Sequence, residues 1–159
     1  CEWGGKCDIG KPILDPSNAA VLALVSSTNL WTCQYCVAEN AELLRASKYV
    51  FFADLFERAR VGSVFVLSEV HPRLWPDFCS LIEGRCLDMS VGFNKNGRQM
   101  LLRKCWSDGD GGEKNHGGML ISDRDRVLVQ KFAELGRYHE RKIRSGWRRQ
   151  ERKRRGGGA

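Results

Sequence analysis

The sequence predicts an α/β fold: a mostly parallel sheet flanked by helices, closed by a C-terminal antiparallel hairpin and followed by a basic helical tail. Three observations predict it. Two short apolar runs, Ala19 to Val25 and Ser63 to Leu67, have the length and composition of strands buried on both faces, which belong to parallel sheets. Between them, Leu43, Leu44, Tyr49, Phe52, Leu55 and Phe56 recur at three- and four-residue spacing, as on one face of a helix. From Leu87 to Trp106 the period drops to two around Asn96-Gly97.

The elements follow in order. Residues 1–18 are polar and turn-rich, with Gly4-Gly5, Gly10, Pro12 and Pro16, and read as a loop. Ala19 to Val25 is the first predicted strand, ended by Ser26-Ser-Thr-Asn29. From about Cys36 to Arg60 a helix is expected, with room for a break near Ser47, and Gly62 stops it. Strand 63–67 completes a βαβ unit. His71 to Pro76 is a loop with two prolines, Trp75 to Glu83 a short helix, and Leu87–Phe93 with Arg98–Trp106 the hairpin. The glycine-rich stretch from Ser107 to Gly118 reads as a mobile loop. Ser122-x-x-Asp125 resembles a capping box, with Leu128, Phe132 and Leu135 at helical spacing behind it. The expected division is therefore loop (1–18), α/β domain (19–106), glycine-rich loop (107–121), helix (122–136) and basic tail (137–159).

Composition bounds the function. The 159 residues suffice for one ordinary domain, and 42% hydrophobic with 28% charged residues is a globular composition. No apolar run approaches the ~20 residues of a membrane helix, so no membrane partner is expected. The net charge of +7 is unevenly placed. Residues 137–155 hold ten Lys/Arg against Glu140 and Glu151, and the remainder is nearly neutral. Such a tract gains affinity for polyanions by counterion release, and Tyr138 and Trp147 within it can stack on unpaired bases. RNA is the expected partner, with Arg141, Lys142, Arg144, Trp147, Arg148 and Arg149 as contacts. Nuclear or nucleolar addressing is the competing use of the tail.

Seven cysteines are an odd number, which argues against a disulfide framework and for reduced thiols in an intracellular protein, of nucleus, nucleolus or mitochondrion. Cys33-Gln-Tyr-Cys36 has the spacing of a zinc knuckle, but without a second C-x-x-C the metal reading is weak and no metal is expected.

The order of parallel strand, helix, parallel strand, short helix and hairpin resembles the carboxyl-terminal half of a class I, Rossmann-like, S-adenosylmethionine-dependent methyltransferase. Leu55 to Leu67, with Arg60-Val-Gly-Ser63 at the turn, looks like the segment around the family's fifth strand, where an "L-K-P-G-G" turn precedes it. Ala19 to Trp31 looks like its fourth strand and the residues beyond, and Leu87 to Lys104 like its closing strands. The resemblance covers residues 19–105.

It implies an RNA-directed methyltransferase or a domain derived from one, bound to RNA of the ribosomal kind. Ligands of open α/β sheets bind outside the carboxyl ends of the strands. On this reading Asn29 orients the acceptor and Trp31 stacks on it, Ser26, Ser27 and Thr28 border the S-adenosylmethionine site, and Glu69 or His71 acts as a base. The family's glycine-rich loop and ribose-holding acid are absent from this chain, which begins at Cys1 rather than Met. They are expected upstream, in the same protein or a partner chain, so the chain alone should bind S-adenosylmethionine poorly. The alternatives are a non-catalytic RNA-binding or ribosome-associated scaffold, and a small zinc-binding interaction module.

Overall fold

A computed structural model describes residues 6–105 and 118–156. It is an α/β fold built on a mixed five-stranded sheet. The strands are β1 (Leu30–Gln34), β2 (Val64–Ser68), β3 (Met89–Phe93), β4 (Gln99–Lys104) and β5 (Met119–Ile121), in the order β1-β2-β4-β3-β5. The helices are α1 (Ala19–Leu24), α2 (Cys36–Glu39), α3 (Ala41–Ala46), α4 (Val50–Arg58), α5 (Trp75–Gly84) and α6 (Asp123–Gly156). β1 runs parallel to β2 and β3 parallel to β5, while β4 is antiparallel to both β2 and β3. The sheet is therefore mixed rather than mostly parallel.

The first strand is not where the sequence places it. Ala19 to Leu24 is helical, entered through a 3-10 turn at Pro16–Asn18 whose Asp15 side chain accepts the Ser17 N–H. Its Ala and Leu residues are strong helix formers. Val21 and Leu22 pack on the core and Val25 is buried, whereas Leu24 is exposed. A short uniformly apolar run has no period to separate strand from helix. The parallel partner of β2 is instead Leu30-Trp-Thr-Cys-Gln34, where Trp31 pairs with Phe65 and Cys33 with Leu67.

The long helix expected over 36–60 is three short ones. Asn40 ends α2, and Lys48 and Tyr49 take positive φ angles of 53° and 56°, which break the path between α3 and α4. The hairpin stands as predicted, with Gly97 at φ 69° in its turn. β5 was not anticipated. Of the glycine-rich loop expected over 107–121, residues 107–117 lie outside the described residues, and Met119–Ile121 is strand β5 rather than loop. One half of the capping box forms: the Ser122 hydroxyl accepts the Asp125 N–H at 3.1 Å, and it also donates to the Asp125 carboxylate at 2.9 Å. From there α6 continues unbroken through the basic tail to Gly156.

Every helix contributes to one core cluster, on one face of the sheet. Phe56 of α4 packs edge-on against Phe65 of β2, and Phe52 against Phe78 of α5. Strand alternation sends Leu67, Met89, Val91, Met100 and Leu102 to the same side. The other face is half-buried to exposed apart from Ser68, which is buried. Its first row across the strands is Leu30, Val64, Arg103, Ser90, Leu120; the next is Thr32, Val66, Leu101, Gly92; the last is Gln34, Ser68, Gln99. That face is apolar at the amino ends of β1 and β2 and polar at their carboxyl ends.

Candidate functional site

β1 and β2 end level with each other at Gln34 and Ser68. The Tyr35 N–H donates to the Ser68 carbonyl at 2.8 Å, and Tyr35 then turns the chain into α2 in the left-handed region at φ 59°. For a non-glycine residue that costs roughly 1–2 kcal/mol. Two devices hold the turn. Cys33 and Cys36 are joined by a disulfide across it, with their Cα atoms 6.4 Å apart. Glu69, 1% exposed, places Oε1 where it accepts the N–H groups of Val37 (2.7 Å) and Ala38 (3.0 Å). These donors have no partner within α2, and a carboxylate satisfies them strongly. The Glu69 Oε2 atom is buried and unpartnered. Glu69 thus positions α2 against the end of β2.

The hairpin turn forms the opposite wall. The Glu69 N–H donates to the Arg98 carbonyl at 2.8 Å, and the Trp75 indole donates to the Gly97 carbonyl at 2.7 Å. A Cβ on Gly97 would lie 2.5 Å from the Phe132 ring of α6, so only glycine allows this approach. Between the walls lies a cavity of about 310 Å³ lined chiefly by Gln34, Tyr35, Ser68, Asn94, Arg98 and Gln99. Its amides are partly organised: Gln99 N–H donates to Asn94 Oδ1, and Gln99 Nε2 approaches Ser68 Oγ at 3.5 Å. Amides donate and accept side by side, as the edge of an unstacked nucleobase requires. Tyr35, 54% exposed, offers a ring for stacking.

The expected site residues are redistributed by the new position of β1. Ser26, Ser27, Thr28 and Asn29 lie at the amino end of β1; the Thr28 carbonyl accepts the Ser63 hydroxyl and the Asn29 carbonyl accepts the Val64 N–H. That end is opposite the one where ligands of open parallel sheets bind. Trp31 stacks on Phe65 within the sheet, with its indole nitrogen buried and unpartnered, and it does not border the polar cavity. Glu69 does border it. His71 is exposed and precedes the 3-10 helix Pro72–Leu74, outside the cavity lining. Cys33 and Cys36 are bonded to each other rather than reduced, so they offer no thiolate pair to zinc, and no group of three metal-ligating side chains occurs among the described residues. Gln34, Tyr35, Asn94, Arg98 and Gln99 were not singled out from the sequence. The strand-end rule points to Gln34 and Tyr35 once β1 is placed at 30–34.

α6 joins this cavity to the basic tail. Phe132 packs on Phe93 and on the hairpin turn, and Gly136 meets the Arg73 backbone. In the sequence, Arg137, Arg141, Arg144, Arg148, Arg152 and Arg155 recur at helical period, over about 27 Å of α6 backbone. Leu128 and Phe132 of the same helix pack on the core. Arg141 and Lys142 are exposed; the side chains of Arg144, Trp147, Arg148 and Arg149 lie outside the described residues. No described helix is long and apolar enough to cross a membrane.

No family model, no curated protein and no solved structure matches this chain.

Proposed function

We propose that this protein binds RNA through the arginine face of α6 and takes an unpaired base into the amide-lined cavity at the carboxyl ends of β1 and β2. The observation that carries this reading is the continuity of α6. One helix carries the six arginines at helical period and also supports, through Phe132, the turn that walls the cavity. Phosphates neutralised along about 27 Å of helix supply affinity without reading sequence. The side-chain amides supply the base contact. The decisive experiment compares single-stranded with fully paired RNA by fluorescence anisotropy on the chain and on a Gln34→Ala, Gln99→Ala variant. Unpaired RNA should bind more tightly, and the variant should lose that preference while keeping the salt dependence. Equal binding of both RNAs by the unaltered chain removes the base pocket.

A second reading has one observation in its favour. The order of parallel strand, helices, parallel strand, short helix and antiparallel hairpin persists with the first strand moved to 30–34. It supports descent from a methyltransferase of the class I, Rossmann-like type. Ser26, Ser27 and Thr28, which that resemblance assigns to S-adenosylmethionine, lie at the amino end of β1, and no chemical step is derived through that cofactor. A binding role needs none.

A further inference from the structure

We infer that Cys33 and Cys36 form a redox-active pair whose oxidation holds Gln34 and Tyr35 in the cavity, so that a small-molecule disulfide such as glutathione disulfide controls access to it. Gating in this sense rests on the reading of the cavity as a base pocket; the redox activity of the pair does not.

The bond has no evident role in stapling the fold. Cys7, Cys79, Cys86 and Cys105 are free, and the only bonded cysteines among the described residues are three positions apart. So short a loop gains the least chain-entropy stabilisation that a disulfide can give. What the bond does enclose is functional surface. The two residues between the sulfurs, Gln34 and Tyr35, both line the cavity, and Tyr35 is the one with positive φ. Both cysteines are half-buried and line a second cavity beside Trp31 and Phe65. The helix that follows is held independently of the sulfurs, its Val37 and Ala38 N–H groups donating to Glu69. Reduction therefore frees the bracket without unfolding α2. The exchange is balanced. The dithiol gives up two protons and two electrons as the Sγ–Sγ bond forms, and the small disulfide is cleaved to two thiols that take up both. Where the other described cysteines are free, a lone disulfide between near neighbours has the character of one that senses redox state.

The full chain is equilibrated across ratios of glutathione to glutathione disulfide and followed by differential alkylation with mass spectrometry, by backbone amide resonances, and by anisotropy with a single-stranded oligoadenylate. Cys33 and Cys36 should change state together within that range. The amides of residues 34–36 and of Ser68, Arg98 and Gln99 should shift while those of α5 stay. The reduced chain should bind oligoadenylate about 5- to 30-fold more weakly, the factor that corresponds to releasing the left-handed Tyr35. A Cys33→Ser, Cys36→Ser variant should match the reduced chain at every ratio. A pair that stays in one state across the range, or changes state without moving the 34–36 resonances, overturns the proposal. If the resonances respond but Gln34→Ala leaves oligoadenylate affinity unchanged, the base pocket fails and the redox-active pair stands.

Discussion

Replacing Arg137, Arg141, Arg144, Arg148, Arg152 and Arg155 together by glutamine tests whether the face of α6, rather than its total charge, meets RNA. Glutamine is nearly as good a helix former as arginine, so α6 should persist. If each of the six neutralises one phosphate of a single strand, log K should fall against log salt with a slope near −4, from about 0.7 per phosphate. Raising salt from roughly 50 to 200 mM should then weaken the intact protein about 250-fold. The six-fold variant should show a slope near zero and lose only a few-fold over the same range. A control variant substitutes Lys142, Arg149, Lys153 and Arg154, which the helix period places off that face. Anisotropy titrations over a salt series give the slopes directly, with circular dichroism to check helicity. The reasoning is refuted if the control costs as much slope as the six-fold variant, or if neither changes it.

Other outcomes follow from the packing. Gly97→Ala should destabilise by about 3 kcal/mol, from its positive φ and the overlap with Phe132, and lower Tm by roughly 6–12 °C in a thermal melt. Glu69→Ala orphans the Val37 and Ala38 N–H groups and should cost about 2–5 kcal/mol in urea denaturation; Glu69→Gln keeps an acceptor and should cost less. Burial, then the nearby Glu83, push the Cys79 thiol up from 9.0 to about 12. The unfolded chain therefore loses that proton first, and stability present below pH 9 should decline by up to about 1.4 kcal/mol per unit between pH 9 and 12. Cys79→Ala should flatten that part of the stability–pH curve.

The elements with a clear period were legible in the sequence. Alternation around Asn96-Gly97 located the hairpin, and the three- and four-residue spacing behind Ser122 located α6. Ala19 to Val25 misled because it is apolar at every position, and helix propensity with the Asp15 cap decided its state. Leu30 to Gln34 carries little strand signal because it is an edge strand, mixing exposed Leu, Thr and Gln with half-buried Trp and Cys. That single displacement carried the site with it. Ser26 to Asn29 lie at the amino end of β1, and Gln34 and Tyr35 at its carboxyl end. The hairpin side of the cavity depends on β4 inserting between β2 and β3, a long-range pairing that no local pattern encodes.

The insertion of β4 has a consequence for how the chain assembles during synthesis. β2 and β3 share a sheet but are not paired with each other; each bonds to β4, which follows both in the sequence. While the ribosome has released β1 and β2 but not Lys104, the inner edge of β2 stands open, with Phe65 and Leu67 facing helices already able to collect on them. Closure of that edge waits for nearly forty further residues, and it is during this interval that an open apolar strand invites mispairing with another nascent chain. Slowing translation between residues 70 and 104 should therefore lower the soluble yield, whereas slowing it after 104 should not.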